Sequence, residues 1–269
     1  METISDDSLK QAKSDLKKQG FAIIKNVFSQ DEVNLMRGAA MTALMECSPD
    51  REYQKGGKIQ TAKRNGVTFP ALMFWPCLVN NHLNEVRTDN RISQIVTTLV
   101  GKKAKQLNNQ IYFRLPGDSD SFAWHQDIMF RESIEYDGIE KSYIQTVISI
   151  DEITEDNAPL EFIVGSHKFG KLNLIKKDMS DFRTFVRSSL PDGLKGLEIR
   201  RITTSPGDMV LWSLLAVHGS PENTSTRSRM TYMNGFCSPR HSKEWPEYLD
   251  GKKLIRHADN RLIPYGWVK

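Results

Sequence analysis

Apolar positions fall in two textures along the chain, divided near residue 105. Before that point they recur three and four apart, the spacing of a helix face. Leu9, Ala12 and Leu16 follow Asp6-Asp7-Ser8, and Gly20 ends the segment. Residues 21–24 (FAII) form a short apolar run that predicts a strand. Ser29 and Glu32 stand three apart, as in a capping box, where hydroxyl and carboxylate satisfy free N–H groups at a helix start. Val33, Met36, Ala40 and Leu44 continue one face of that helix, and Met36, Met41 and Met45 read as helix core. Thr88-Asp89 fits a further cap, before Ile92, Ile95, Val96 and Leu99 and the stop at Gly101.

Beyond residue 105 the apolar runs shorten and turn residues divide them. Runs at 110–114, 122–130, 143–150, 160–164, 197–202, 209–217 and 228–236 are punctuated by Pro116-Gly117-Asp118, Gly165-Ser166 and Ser205-Pro206-Gly207-Asp208. Such a series predicts a β-sandwich or barrel. A helix-like stretch at 179–190 interrupts it. With no repeat, low-complexity tract or linker in view, one domain spanning 1–269 is expected: a mainly helical layer at 1–104, a β core at 105–240 and a C-terminal extension at 241–269.

Composition changes this picture little. At 39% hydrophobic residues over 269 positions, the chain has enough apolar material for a core, which excludes wholesale disorder. Thirty-seven Lys and Arg against 33 Asp and Glu leave +4, too weak and too scattered to argue for nucleic acid. The three cysteines, Cys47, Cys77 and Cys237, form no CxxC pair, which favours a reducing compartment over a disulfide framework or a zinc ribbon. The opening METISDDSLKQ lacks the apolar region of a secretory leader, and no apolar run approaches a membrane span. A cytoplasmic protein is expected, a monomer or homodimer acting on a small molecule, with neither nucleic acid nor membrane as partner.

The informative chemistry begins at Trp124-His125-Gln126-Asp127. On a strand, residues two apart share a face, so His125 and Asp127 would present imidazole and carboxylate side by side. His218 ends the run 209–217 and precedes Gly219-Ser220. Two histidines and one carboxylate make the facial triad of non-haem Fe(II) oxygenases, which leaves positions open for a chelating 2-oxo acid and O₂. Arg229 follows His218 by 11 residues, on the expected returning strand. Its planar fork suits the far carboxylate of 2-oxoglutarate. Arg227 is the neighbouring competitor, on the same face if both lie on a strand.

These strings, with Asn157-Ala158-Pro159-Leu160, Gly165-Ser166-His167 and Gly207-Asp208, resemble the phytanoyl-CoA dioxygenase family over roughly residues 18–236. The resemblance implies a mainly β fold with flanking helices, a double-stranded β-helix or jelly-roll barrel under a helical N-terminal layer. It implies Fe(II), 2-oxoglutarate as cosubstrate and O₂. By position, His125, Asp127 and His218 would be the iron ligands, Arg229 would hold the cosubstrate carboxylate, Ser220 would add a hydrogen bond and Gln110 would contact the cosubstrate. The implied activity is hydroxylation, or another oxidation, of an unactivated C–H bond of a small metabolite, with succinate and CO₂ as co-products. Related halogenases lack the carboxylate and bind chloride in its place; Asp127 favours hydroxylation.

Ala158 stands where the family has Gly, and Val147 where an aromatic residue is frequent. The family also spans natural-product and acyl-CoA substrates. Two readings from other classes stay open: a barrel that binds a metal or ligand without oxidising anything, and a zinc hydrolase using the same three residues. His167 reads as closing a turn, Trp124 as packing, His82, His241 and His257 as surface or packing residues, and the basic stretch 55–66 as a solvated loop or lid.

Overall fold

The structure, a computed structural model, describes residues 2–46, 58–64, 67–117, 121–131, 138–174, 192–241, 247–250 and 253–254. The stretch 179–190, residues 55–57 and 65–66 of the basic segment, Cys47 and His257 lie outside them.

Helix α1 (Asp6–Gln19) takes in Asp6, Asp7 and Ser8, which the sequence reading places ahead of it. Ser5 is the cap, its Oγ accepting from the Ser8 amide at 3.2 Å, so Asp6 and Asp7 lie inside the first turn, where they favour the helix dipole. Strand β1 (Phe21–Ile24) follows directly. Helix α2 (Gln30–Glu46) opens on the expected capping box: Ser29 Oγ accepts from the Glu32 amide, and Glu32 Oε2 from the Ser29 amide at 2.7 Å. Hydrogen bonds from Arg91 hold the Glu32 carboxyl down at about 2. Val33, Met36 and Ala40 are buried, whereas Met41 and Met45 are 43% and 75% exposed. The methionine cluster is therefore not one core face, because positions 41 and 45 rotate past the apolar stripe.

Two strands and two further helices precede residue 100. Strands β2 (Lys58–Arg64) and β3 (Val67–Phe74) form an antiparallel hairpin, so the basic stretch contains a strand. Helix α3 (Asn81–Arg87), capped by Asn80, occupies a segment with no clear helical signal. Helix α4 (Asn90–Leu99) starts at the Asp89 cap, as its sequence implies.

The β core comprises β4 (Lys103–Arg114), β5 (Phe122–His125), β6 (Ile144–Ser149), β7 (Leu160–Ile163), β8 (Ile199–Ile202), β9 (Met209–Ser213), β10 (His218–Ser220) and β11 (Arg229–Cys237). Strands β12 (Glu247–Asp250) and β13 (Lys253–Leu254) follow. They form two antiparallel sheets. The larger runs β1-β9-β6-β11-β4-β12-β13, with β3 also on β4; the smaller runs β5-β10-β7-β8. This is the mainly β, double-stranded barrel architecture that the sequence implies. Strand β12 pairs with β4, and β13 with β12, so both extend the large sheet.

Strand alternation sorts side chains to two faces. Ile111 and Phe113 on β4, Met209 and Leu211 on β9 and Met230 and Tyr232 on β11 pack under the helices. Val147, Phe162, Val210 and Trp212 fill the space between the sheets with Phe21 and Ile202. The opposite parity on β4 and β11 faces a cavity: Asn108, Gln110 and Tyr112, then Arg229, Thr231 and Met233.

Candidate active site

His125 ends β5 and His218 opens β10, and the two are direct cross-strand partners. Their ring centroids lie 4.1 Å apart. Gly219 permits this approach, since a Cβ there would stand 2.8 Å from the Phe122 carbonyl oxygen. The strand stops at His125. Asp127 begins a short 3₁₀ turn, so it is not the strand neighbour that simple alternation predicts. The turn nonetheless carries Asp127 Oδ1 to 3.7 Å from His125 Nε2 and 3.6 Å from His218 Nε2. Gln126, between His125 and Asp127, fastens the turn. Its amide donates to the carbonyls of Gly170 (2.8 Å) and Leu215 (2.7 Å), and its oxygen accepts from the Leu172 amide.

Both imidazoles are oriented by one device. His125 Nδ1 lies 2.7 Å from the Ala123 carbonyl and His218 Nδ1 lies 3.0 Å from that of Ala216, each two residues back. A carbonyl only accepts, so each Nδ1 carries a proton and each Nε2 is turned toward the Asp127 side of the site. Burial, with His218 close by, pushes the His125 ring down to about 4, so it is neutral at physiological pH. One ligand atom from each residue falls within 4.8 Å of the others. Two imidazole nitrogens and a carboxylate oxygen, gathered in a cavity wall, are a donor set that fits Fe(II).

The cavity encloses about 290 Å³. At one end Arg229, buried at 5% exposure, opens β11 and donates to the Ala158 carbonyl. Ser220 Oγ donates to the same carbonyl at 2.9 Å. Ala158 reaches both through a left-handed backbone, φ 63°, which explains why a glycine is usual there. The departure from the family pattern thus touches the arginine as well as the loop. Ala158 is fully buried, so Ala158→Val is expected to combine left-handed strain with overpacking, a loss of about 2–4 kcal/mol visible as a lower denaturation midpoint.

Arg227 lies before β11 and pairs on the surface with Glu152 and Asp156. Of the two arginines, Arg229 is the one in the cavity. Gln110 lines the cavity wall opposite Met233 on β11. Val147 lines it too, with Leu160, Trp212 and Met233. Trp124 packs with Ile163, Leu194 and Val217, and His167 meets the Lys17 carbonyl, away from the triad.

Three groups at the other end escaped the sequence reading. Gln145 Oε1 accepts from Tyr143 Oη at 2.6 Å and from Asn108 Nδ2 at 3.2 Å. The three meet over Gly235, which lies between Gln145 and Asn108 in register. A Cβ at 235 would run into Tyr143 Oη and stand 2.9 Å from Asn108 Cβ. Gly235→Ala is expected to cost about 1–3 kcal/mol, read in a denaturant midpoint, and to displace the Tyr143 hydroxyl. Trp212 was also missed. Its indole Nε1 donates to Asp127 Oδ2 at 2.8 Å. An N–H inside an apolar strand was the available signal, because a buried indole needs an acceptor.

The fold and this site define a non-haem iron, 2-oxoglutarate-dependent oxygenase of the double-stranded β-helix type. The chain belongs to the phytanoyl-CoA dioxygenase family, whose model matches residues 16–231. It is 23% identical over 258 residues to a probable α-ketoglutarate-dependent hypophosphite dioxygenase from Stutzerimonas stutzeri, covering 91% of this chain and 85% of that one. It is 30% identical over 165 residues to a 2-aminoethylphosphonate dioxygenase from the uncultured bacterium HF130_AEPn_1, covering 59% and 55%. Among solved structures, EctD from S. alaskensis in its apo form superposes with a TM-score of 0.69 at 18% identity, over 94% of this chain and 84% of that one.

Proposed function

We propose that His125, Asp127 and His218 hold the iron and that Arg229 binds the distal carboxylate of 2-oxoglutarate, with Ser220 and Gln110 lining the same cavity. The observation that carries this reading is one cavity containing a complete two-histidine, one-carboxylate set and a buried guanidinium. A dianionic cosubstrate compensates the buried cation, and the fork of Arg229 matches a carboxylate plane. When bound, Fe(II) and 2-oxoglutarate supply O₂ activation, giving succinate, CO₂ and one oxygen atom inserted into a substrate C–H bond, or into a P–H bond of a substrate such as hypophosphite.

The chain's own residues orient and exclude. The Ala123 and Ala216 carbonyls fix the two rings, and Val147, Leu160 and Met233 keep bulk water from the cosubstrate end. The substrate we propose is a small oxygen-rich metabolite, such as a phosphorus oxyanion or phosphonate. Two relatives named for such substrates and the modest cavity volume support this. We also place the enzyme in the cytoplasm. Cys77 is a free, buried thiol, Cys237 is buried as well, and no helix among the described residues is long and apolar enough to cross a membrane.

The test is anaerobic loading with Fe(II) and 2-oxoglutarate, followed by O₂ and a panel of hypophosphite, 2-aminoethylphosphonate and free amino acids. Succinate release stimulated by one panel member, with a product gaining one oxygen atom, is expected. Iron-loaded protein that makes no succinate, alone or with any member, would refute the reading.

A further inference from the structure

We propose that Trp212 is a positioning residue for the metal carboxylate: its indole N–H occupies one oxygen of Asp127, so that the side chain offers the metal the other oxygen alone. This rests on the iron-site reading above and concerns how that site is built. A carboxylate at the start of a short turn can rotate about its last bond and present both oxygens to a cation. Here the symmetry is broken. Oδ2 accepts from Trp212 at 2.8 Å, and Oδ1 lies 3.6–3.7 Å from the two histidine nitrogens.

The indole is well held for the purpose. Trp212 is 1% exposed near the end of β9, registered between Phe21 and Gln145. Its ring meets Phe162 edge-on at 5.7 Å and tilts against His218 at 5.1 Å. The same side chain therefore braces a second ligand while tying the first. Indole N–H is a donor only, and a bond to an ionised oxygen is among the stronger hydrogen bonds. The consequence is chemical. Oxygen activation on this ligand set needs open positions beside the three protein donors. A carboxylate binding through both oxygens would fill one of them, and Trp212 stands against that.

Two variants separate the N–H from the ring. Trp212→Phe removes the donor and part of the bicycle. Replacement of Trp212 by β-(3-benzothienyl)alanine keeps the bicycle and exchanges only N–H for sulfur. Fe(II) binding is measured anaerobically by calorimetry, and the visible charge-transfer band of the Fe(II)–2-oxoglutarate complex is recorded. Both variants are expected to bind Fe(II) about tenfold more weakly, in the range for loss of a group that orients a ligand. The band is expected to move, while the benzothienyl variant keeps the wild-type melting temperature. Wild-type Fe(II) affinity and an unmoved band in the benzothienyl variant would overturn the inference, even if the phenylalanine variant fails to fold. A wild-type protein that takes up no Fe(II) would instead sink the iron site itself.

Discussion

Asp127→Ala is expected to lower 2-oxoglutarate turnover more than about 100-fold, since loss of a group that merely orients a ligand already costs ~10–100-fold. The substitution removes the carboxylate that sits within 3.7 Å of both histidine nitrogens and leaves only the two imidazoles. It also strands the Trp212 N–H, which is otherwise bonded to Asp127. The fold should survive, because Asp127 lies on a short turn with 19% of its side chain exposed, and Gln126 holds that turn independently.

Asp127→Asn is the sharper variant. Its amide oxygen would accept from Trp212, turning the NH₂ toward the histidine lone pairs. The amide would then hydrogen-bond to the groups that should bind metal, so this near-isosteric change is expected to be as damaging as alanine. Succinate release and bound iron, measured on both variants, check the pair. Full turnover with iron bound in either would dismiss Asp127 as a ligand.

Much of this site was legible in the chain before any fold was drawn. His125, Asp127 and His218 carry the chemistry in their residue types, and the strand ends place them together. The reason given for Asp127 was nevertheless incomplete. Alternation along a strand predicts the pair side by side, whereas the strand ends and a 3₁₀ turn delivers the carboxylate. The Ser29–Glu32 box was equally legible, because a cap is a local bond between residues three apart.

What escaped was long-range. Trp212 meets a residue 85 positions away, and in sequence it is one more apolar residue in a run. Tyr143 and Gln145 meet Asn108 over Gly235, a coincidence of register that only the sheet reveals. The Met41 and Met45 faces look apolar by composition, yet nothing among the described residues buries them. Ala158 is the most instructive case. A residue noted only as an exception to a pattern proves to be the carbonyl on which Arg229 and Ser220 converge.

Arg229 carries the second large effect. Removing one partner of a buried, hydrogen-bonded charge pair costs about 2–5 kcal/mol, so Arg229→Leu is expected to raise the KM for 2-oxoglutarate by about 30-fold or more. Arg229→Lys keeps the charge but loses the fork, and it should fall between leucine and the parent. Arg229 is 5% exposed and its neighbour Ala158 is fully buried, so the lost contact lies inside the barrel and not at its surface. The decisive comparison uses a second 2-oxo acid, 2-oxovalerate, which has the same chelating end and a methyl in place of the distal carboxylate. If Arg229 holds that carboxylate, Arg229→Leu should penalise 2-oxoglutarate and leave 2-oxovalerate nearly untouched, collapsing the preference between them. Equal losses on both acids would mean that Arg229 supports the barrel wall and that the carboxylate is bound elsewhere.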